Sequence, residues 1–140
     1  MGARGIRIAA DDKHVRAVIK AAGLEQDSKG LSVTGGRDED WGPEDEVELT
    51  GVDVRKFRAV AATANYLSAD RPDIQYAAKE LCRRMARPKV GDWRAVKKLG
   101  RYLVSHGKGE LWYERQDEPG GLVGYTDSDW AGCRLSLIHI

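Results

Sequence analysis

Two aspartates near the C-terminal end of the chain are its most informative candidates for chemistry. They are Asp127 and Asp129, within the run YTDSDWAG at residues 125–132. Because residues two apart on a β-strand share a face, both carboxylates point the same way if a strand runs through them. Paired carboxylate oxygens are ligands for a hard cation such as Mg²⁺, the metal of two-metal phosphoryl chemistry. The structural alternative, which the residues alone favour, is that Asp129 ends the strand as a turn residue.

The histidines and cysteines form no ligand pattern. His14, His106 and His139 are scattered, and none is spaced like a metal ligand from another. Cys82 stands on an apolar face, where an inert core thiol is expected, and Cys133 has no base near it in sequence. The chain also lacks a phosphate-binding loop, a nucleophile elbow and a dinucleotide fingerprint.

Charge is strongly segregated along the chain, although its formal net charge is only +1. Residues 38–53 contain eight acidic residues and no basic one. Residues 82–101 contain eight basic residues and one acidic residue, a local charge of +7. Such blocks mark interaction surfaces or tails, and the alternative is a solvated helix face. The candidate nucleic-acid-binding residues are Arg83, Arg84, Arg87, Arg94, Lys97, Lys98 and Arg101.

Amphipathic helices are predicted to position the basic block. A short strand at 6–9 precedes a helix over 13–22, which Asp11 or Asp12 can cap and Gly23 can end. Further helices are predicted to open at Thr50 or Asp53, at Pro72 and at Asp92. The apolar residues spaced to form the inner faces are Val15, Val18, Ile19 and Ala22; Phe57, Val60, Ala61, Ala64 and Leu67; Ile74, Ala77, Ala78, Leu81, Cys82 and Met85; and Trp93, Val96, Leu99 and Leu103.

The hydrophobic period changes after residue 107. Residues 110–114 and 121–127 alternate in polarity, with a Pro119-Gly120-Gly121 turn between them, which predicts a β-hairpin. The expected fold class is therefore α+β, mostly helical, with a short N-terminal strand and helix and this C-terminal hairpin.

Composition excludes several classes of protein. The chain has 140 residues, 41% of them hydrophobic, and no apolar run long enough to cross a membrane. Its N-terminus lacks the apolar stretch of a secretory signal, and its two cysteines are too few for a disulfide framework. We therefore expect an intracellular protein of the cytoplasm or nucleus, without membrane association or secretion.

Three blocks of the sequence resemble the copia-type retrotransposon Pol polyproteins. FRAV, NYL and RPDI, within residues 57–74, are similar to the family's "YRSLVGSLLYL…RPDI". WRAVKKLGRYL at 93–103 is similar to "HWKAAKRVLRYL", and LVGYTDSDWAGC at 122–133 is similar to "LVGYSDADWAGC". The blocks follow the family's order and spacing over residues 55–134, and 14–34 resembles the preceding segment more loosely.

The resemblance implies a position within the polyprotein. Residues 1–36 would be a thumb-like C-terminal remnant of the reverse transcriptase, and 37–54 an acidic flexible linker. Residues 55–109 would be the helical connection, and 110–134 the first strands of an RNase H-like domain that forms the truncated start of its sheet. Residues 135–140 depart from the family pattern.

The resemblance also implies functional residues. It places the family's first RNase H carboxylate at Asp127, a vestigial catalytic and metal-binding residue here, and assigns no metal-binding role to Asp129. Mg²⁺ would be the cofactor of the parent enzyme. The Tyr-x-Asp-Asp metal site of the reverse transcriptase and the later RNase H carboxylates are not in this sequence. We therefore expect a truncated fragment that is inactive alone and binds no Mg²⁺.

The expected partner is an RNA–DNA hybrid or another nucleic acid, bound weakly and in a salt-dependent way by the basic block. In the parent, the helices would support hybrid binding during reverse transcription and DNA integration. The alternative is a stand-alone helical nucleic-acid-binding module, with Trp93 and Tyr102 available to stack on bases. A third hypothesis, a protein-interaction piece using the acidic 38–53 segment, has only charge to support it.

Overall fold

Four helices and a two-stranded antiparallel sheet form the described part of the chain. A computed structural model describes residues 5–25, 27–34, 42–115, 121 and 123–126. The strands are β1 (Gly5–Ala9) and β2 (Glu110–Glu114), and the helices are α1 (Asp12–Ala21), α2 (Gly51–Leu67), α3 (Gln75–Arg83) and α4 (Asp92–Ser105). Two 3₁₀ turns, Pro43–Glu46 and Pro72–Ile74, precede α2 and α3. The predicted α+β, mostly helical class is confirmed.

The four helices share one apolar core, and it is the core that the hydrophobic periodicity predicts. All five residues assigned to the inner face of α2 are buried, and so are most of those assigned to the other helices. Ala22, Ala77, Cys82, Met85 and Trp93 are only partly buried but pack against the same core. Because α1 buries Val15, Val18 and Ile19 in the core formed by α2, α3 and α4, these helices pack as one unit.

Helix α1 begins and ends as its sequence predicts. Asp11 is the N-cap, and its carboxylate accepts a hydrogen bond from the Lys13 N–H at 2.7 Å. Gly23 adopts a left-handed φ of 70°, which costs a residue without a Cβ little. The amides of Gly23 and Leu24 then donate to the carbonyls of Lys20 and Ile19, as in a Schellman motif.

Strand β2 pairs with β1, and among the described residues it does not pair with the segment that follows it. The antiparallel register runs from Gly5 opposite Glu114 to Ala9 opposite Glu110. The predicted hairpin between 110–114 and 121–127 is therefore wrong over the described residues 121 and 123–126, which lie outside any strand.

The packing of α1 against α4 explains this choice of partner. A Cβ on Gly107 would contact Val15, and one on Gly100 would contact Ala22, so the two helices run antiparallel. The start of α1 and the end of α4 therefore lie together, and β1 and β2 are brought side by side. The Ala10 amide extends the ladder by donating to the Gly109 carbonyl at 3.1 Å.

The acidic segment before α2 is docked onto the loop between α3 and α4. We call residues 43–48 the acidic strap. Main-chain hydrogen bonds join the Gly91 amide to the Asp45 carbonyl at 3.1 Å and the Val90 amide to the Val47 carbonyl at 2.9 Å. Glu48 and Lys89 form an isolated antiparallel bridge. The backbone of the described part of the predicted linker, from residue 42 onward, is thus paired with a distant loop.

Candidate nucleic-acid interface

Helix α4 carries a row of basic residues on the face opposite its buried side. We call Arg94, Lys97, Lys98 and Arg101 the cationic stripe; their spacing of three, four and seven residues aligns them along one face of a helix. The buried residues Val96, Leu99 and Leu103 fix the other face in the core. Arg94 and Lys97 are exposed, while Lys98 and Arg101 are half-buried. Four of the seven predicted binding residues are therefore brought together on one surface.

The other three predicted residues lie around the end of α3, and one of them is structural. Arg84 pairs with Asp92 at 2.5 Å, and the Asp92 side chain is only 3% exposed. Asp92 also accepts a hydrogen bond from the Lys89 amide at 2.7 Å, so this ion pair fixes the start of α4. Arg83 forms a within-helix pair with Glu80 at 3.1 Å. Arg87 is the most exposed of the three and reaches Glu48 at 2.6 Å.

The acidic strap supplies the partners of three cations in the basic block. Arg94 pairs with Asp45 at 2.8 Å, Arg87 pairs with Glu48, and Lys89 pairs with Glu46. The two oppositely charged blocks of the sequence are thus in direct contact. Sequence reasoning missed this contact because about forty residues separate the partners, and only the complementary charge could have suggested it.

Lys29 lies close to the cationic stripe, and the sequence did not indicate this position. Arg101 donates through Nε to the Lys29 carbonyl at 2.8 Å, and the Leu31 amide donates to the Arg101 carbonyl at 3.1 Å. These bonds hold the segment after α1 against α4, where Lys29 is exposed. No sequence pattern near Lys29 indicates this placement.

The RPDI block of the sequence contains a buried arginine, Arg71, that clamps the end of α4. Arg71 is 2% exposed, and its Nε and Nη2 donate to the two carboxylate oxygens of Asp73 at 2.9 and 2.6 Å. The same guanidinium donates to the carbonyls of His106 at 2.8 Å and Gly107 at 3.4 Å. It thereby satisfies the carbonyl of the C-cap residue His106, an acceptor that the end of a helix leaves without a partner.

Tyr102 joins this clamp from α4. Its hydroxyl donates to Asp73 Oδ2 at 2.8 Å. The hydrogen bond from Arg71, with smaller contributions from Tyr102, holds the pKa of Asp73 below its usual value. The bond to Asp73 raises the pKa of Arg71, and burial is the largest cause of the raised pKa of Tyr102. The clamp is therefore a charged, hydrogen-bonded joint between the 3₁₀ turn before α3 and the end of α4.

Arg58, in the FRAV block, has a comparable structural role. Its guanidinium donates to the carbonyls of Met85 at 2.9 Å and Ala86 at 3.3 Å, just beyond the end of α3. Arg58, Arg71 and Arg101 thus each bind main-chain carbonyls of a distant segment. These three arginines fasten loops to helices within the described fold.

The two aromatic residues proposed for base stacking are used inside the fold. Trp93 is half-buried and packs edge-on against Phe57, with ring centroids 5.8 Å apart. Tyr102 stacks on His106 at 4.5 Å and is held by Asp73. Both rings are therefore engaged by neighbouring side chains, which disfavours their use for stacking on bases.

The predicted catalytic carboxylate lies outside the described residues. Asp127, Asp129, Cys133 and His139 all belong to that undescribed part of the chain. Within the described ranges no group of three or more His, Cys, Asp or Glu side chains is placed to hold a metal ion. Cys82 is half-buried beside the Ala61 carbonyl, and burial raises the pKa of its thiol, which disfavours the reactive thiolate.

None of the described helices combines the length and the apolar content needed to cross a membrane. The described residues thus define an α+β helical unit with a cationic stripe on α4 and a buried arginine clamp. No family model matches the chain, and no solved structure matches it.

The chain is similar to three proteins of Arabidopsis thaliana. It is 34% identical over 84 residues to an uncharacterized mitochondrial protein, a match that covers 58% of this chain and 33% of that protein. It is 31% identical over 80 residues to each of the retrovirus-related Pol polyproteins from transposons RE2 and RE1, covering 57% of this chain and 5% of each polyprotein. The chain thus spans about a third of the first relative and a twentieth of the polyproteins. These similarities confirm the resemblance to retrotransposon Pol polyproteins.

Proposed function

We propose that this chain corresponds to the region of a copia-type Pol polyprotein that joins the reverse transcriptase to RNase H, and that α4 binds a nucleic-acid backbone there. The similarity to the Pol polyproteins from transposons RE1 and RE2 supports the first part. The observation that carries the second is the cationic stripe, which lies on the face of α4 opposite the residues packed in the core. An RNA–DNA hybrid is the partner expected in a polyprotein that reverse-transcribes.

The dimensions of the stripe suit a phosphate backbone. With a rise of about 1.5 Å per residue, Arg94 and Arg101 lie about 10 Å apart along the helix axis. Successive phosphates of one strand of a duplex rise by about 3.4 Å, so the stripe spans about three phosphate steps. Neutralising four phosphates releases counterions, and the slope of log K against log salt is then about −3.6.

This role requires no catalysis by the described helices. In our proposal the chain orients a hybrid for chemistry performed elsewhere in the polyprotein, and Asp127 would contribute one carboxylate to the RNase H site of the parent. Mg²⁺ would be held there together with acidic residues that this sequence does not contain. Purified chain with Mg²⁺ should then neither extend a primer nor cleave the RNA of a hybrid, and turnover abolished by Asp127→Asn would contradict this.

The binding experiment uses fluorescence anisotropy with a labelled RNA–DNA hybrid at about 50 and 200 mM salt. Wild-type affinity should fall about 150-fold across that range, which follows from a slope of about −3.6. The double variant Lys97→Gln, Lys98→Gln should weaken binding about tenfold or more at the lower salt and flatten the slope by about 1.8, at 0.9 per lost phosphate contact.

The matched control removes the same charge from another helix. Lys13 and Lys20 are exposed on α1, and Lys13→Gln, Lys20→Gln should leave the affinity within about twofold of wild type. Thermal melts of each variant check that the helices remain folded. Equal losses of affinity in both double variants would mean that net charge, and not the stripe, governs binding. Absence of hybrid binding at low salt would refute the proposal.

The second candidate function, a stand-alone helical nucleic-acid-binding module, is favoured by the shared core. Helix α1 packs against both α2 and α4, so the N-terminal segment and the predicted connection form one folded unit. A module of this kind should unfold in urea in one transition, seen identically by circular dichroism and by tryptophan fluorescence. Two separated transitions would contradict independent folding of these helices.

A further inference from the structure

We propose that the acidic strap is an intramolecular competitor for the nucleic-acid backbone, so that hybrid binding at the basic corner between α3 and α4 requires its displacement. The basic corner comprises Arg87, Lys89 and Arg94. This inference rests on the proposed function and adds regulation to the same surface.

The geometry places a carboxylate of the strap on each cation of the corner. Glu48 contacts Arg87 at 2.6 Å, Glu46 contacts Lys89, and Asp45 contacts Arg94 at 2.8 Å. Each carboxylate offers oxygens to a guanidinium or ammonium group, as a backbone phosphate does. Since Arg94 is also the first residue of the cationic stripe, the strap covers one end of the surface that we expect to bind the hybrid.

In two of the three ion pairs, a phosphate group can readily replace the carboxylate of the strap. The side chains of Arg87 and Glu48 are 78% and 50% exposed, and those of Lys89 and Glu46 are 36% and 56% exposed. Exposed ion pairs of this kind are weak and are screened by salt. A polyanion with several phosphates can therefore replace Glu46 and Glu48 while the interior of the protein is unchanged.

Asp45 differs from the two glutamates because it anchors the strap. Its side chain is 5% exposed and also accepts the Gly42 amide at 3.0 Å. The strap approaches the loop closely at Gly91, where a Cβ would lie 2.8 Å from the Asp45 Cβ and 3.3 Å from its Cγ. An alanine at this position therefore pushes the anchor away without altering any charge.

The test measures binding of the labelled RNA–DNA hybrid to the full chain. The double variant Glu46→Gln, Glu48→Gln removes the competing charges. Its control, Glu110→Gln, Glu114→Gln, removes the same charge from exposed positions on β2. We expect the strap variant to bind at least about fivefold more tightly than this control at 50 mM salt. Freeing Arg87 and Lys89 should steepen the salt slope by about 1.8, so this advantage should be lost by 200 mM.

Gly91→Ala provides a second variant with unchanged charge. It should increase affinity in the same direction as the glutamine variant while retaining the helical circular dichroism of wild type. If the strap variant and the β2 control bind equally, and Gly91→Ala binds like wild type, the strap is a purely structural element and the inference is wrong. That outcome leaves the proposed function intact as long as Lys97→Gln, Lys98→Gln still weakens binding. Absence of hybrid binding in every variant would instead refute the proposed function.

Discussion

Replacing Arg71 with methionine should be among the most damaging single substitutions in this protein, although Arg71 is not itself a candidate binding residue. Methionine keeps much of the length of the arginine stem but removes the guanidinium. Asp73 then loses two hydrogen bonds, and the carbonyls of His106 and Gly107 lose their donor. The buried position, 2% exposed, leaves little access for water to replace these bonds.

The magnitude follows from what remains after the guanidinium is removed. Breaking a buried ion pair by deleting one partner costs about 3–5 kcal/mol. Asp73 is 35% exposed and keeps the Tyr102 hydroxyl as a donor, which favours the lower end. We therefore expect a loss of about 3 kcal/mol in the free energy of unfolding, and a fall in Tm of about 12 °C for a chain of this size.

Urea unfolding followed by circular dichroism measures this loss. The control is Arg55→Met, at an exposed position on α2, which should change the free energy of unfolding by less than about 0.5 kcal/mol. Adding Asp73→Asn to Arg71→Met should cost less than the sum of the single changes, since the two residues act as a pair. If Arg71→Met were no more destabilising than Arg55→Met, the clamp would not support the end of α4.

Two further predictions concern stability. The folded-state pKa of Asp73 is lowered, so its contribution is present above the ordinary aspartate pKa near 4 and is lost as pH falls through the lower folded value. Acid titration of urea midpoints should therefore show a smaller loss below about pH 4 in Asp73→Asn than in wild type, and parallel profiles would contradict this. Alanine at Gly100 should destabilise the protein by about 1–2 kcal/mol despite its better helix propensity, because its Cβ would lie 2.7 Å from that of Ala22. A gain in the stability of Gly100→Ala, measured by urea unfolding, would mean that α1 does not pack closely on α4.

The basic residues of this fold have two different roles, one structural and one suited to binding phosphate. Arg58 and Arg71 bind main-chain carbonyls of distant segments and Arg84 pairs with the buried Asp92, roles that suit the planar guanidinium with its several donors. Lys97, in contrast, is exposed on α4, where an ammonium on a flexible stem suits a nonspecific phosphate contact. Counting all positive charges of residues 82–101 as one binding surface therefore overstates its size.

The sequence alone determined the helices and their inner faces. Phe57, Val60, Ala61, Ala64 and Leu67 are buried as their spacing predicts, because the 3.6-residue period of a helix fixes which neighbours share a face. The order and spacing of the three sequence blocks likewise sufficed for the resemblance to retrotransposon Pol polyproteins. The helix period depends on residues close together in the chain, and the block order depends only on the linear sequence. Both can therefore be read from one sequence.

Only the tertiary structure decided which distant segments meet. Alternating polarity marks residues 110–114 as a strand but does not name its partner, and the antiparallel packing of α1 on α4 selects β1. The charge blocks predict attraction between residues 38–53 and 82–101 but no geometry, and the main-chain bonds of Asp45 and Val47 set the contact. In the sequence, Arg71 is only one more positively charged residue. The fold places the end of α4 beside it, where its guanidinium binds the His106 carbonyl. A one-dimensional pattern fixes the face of an element, whereas the partner of that face depends on how all the elements pack together.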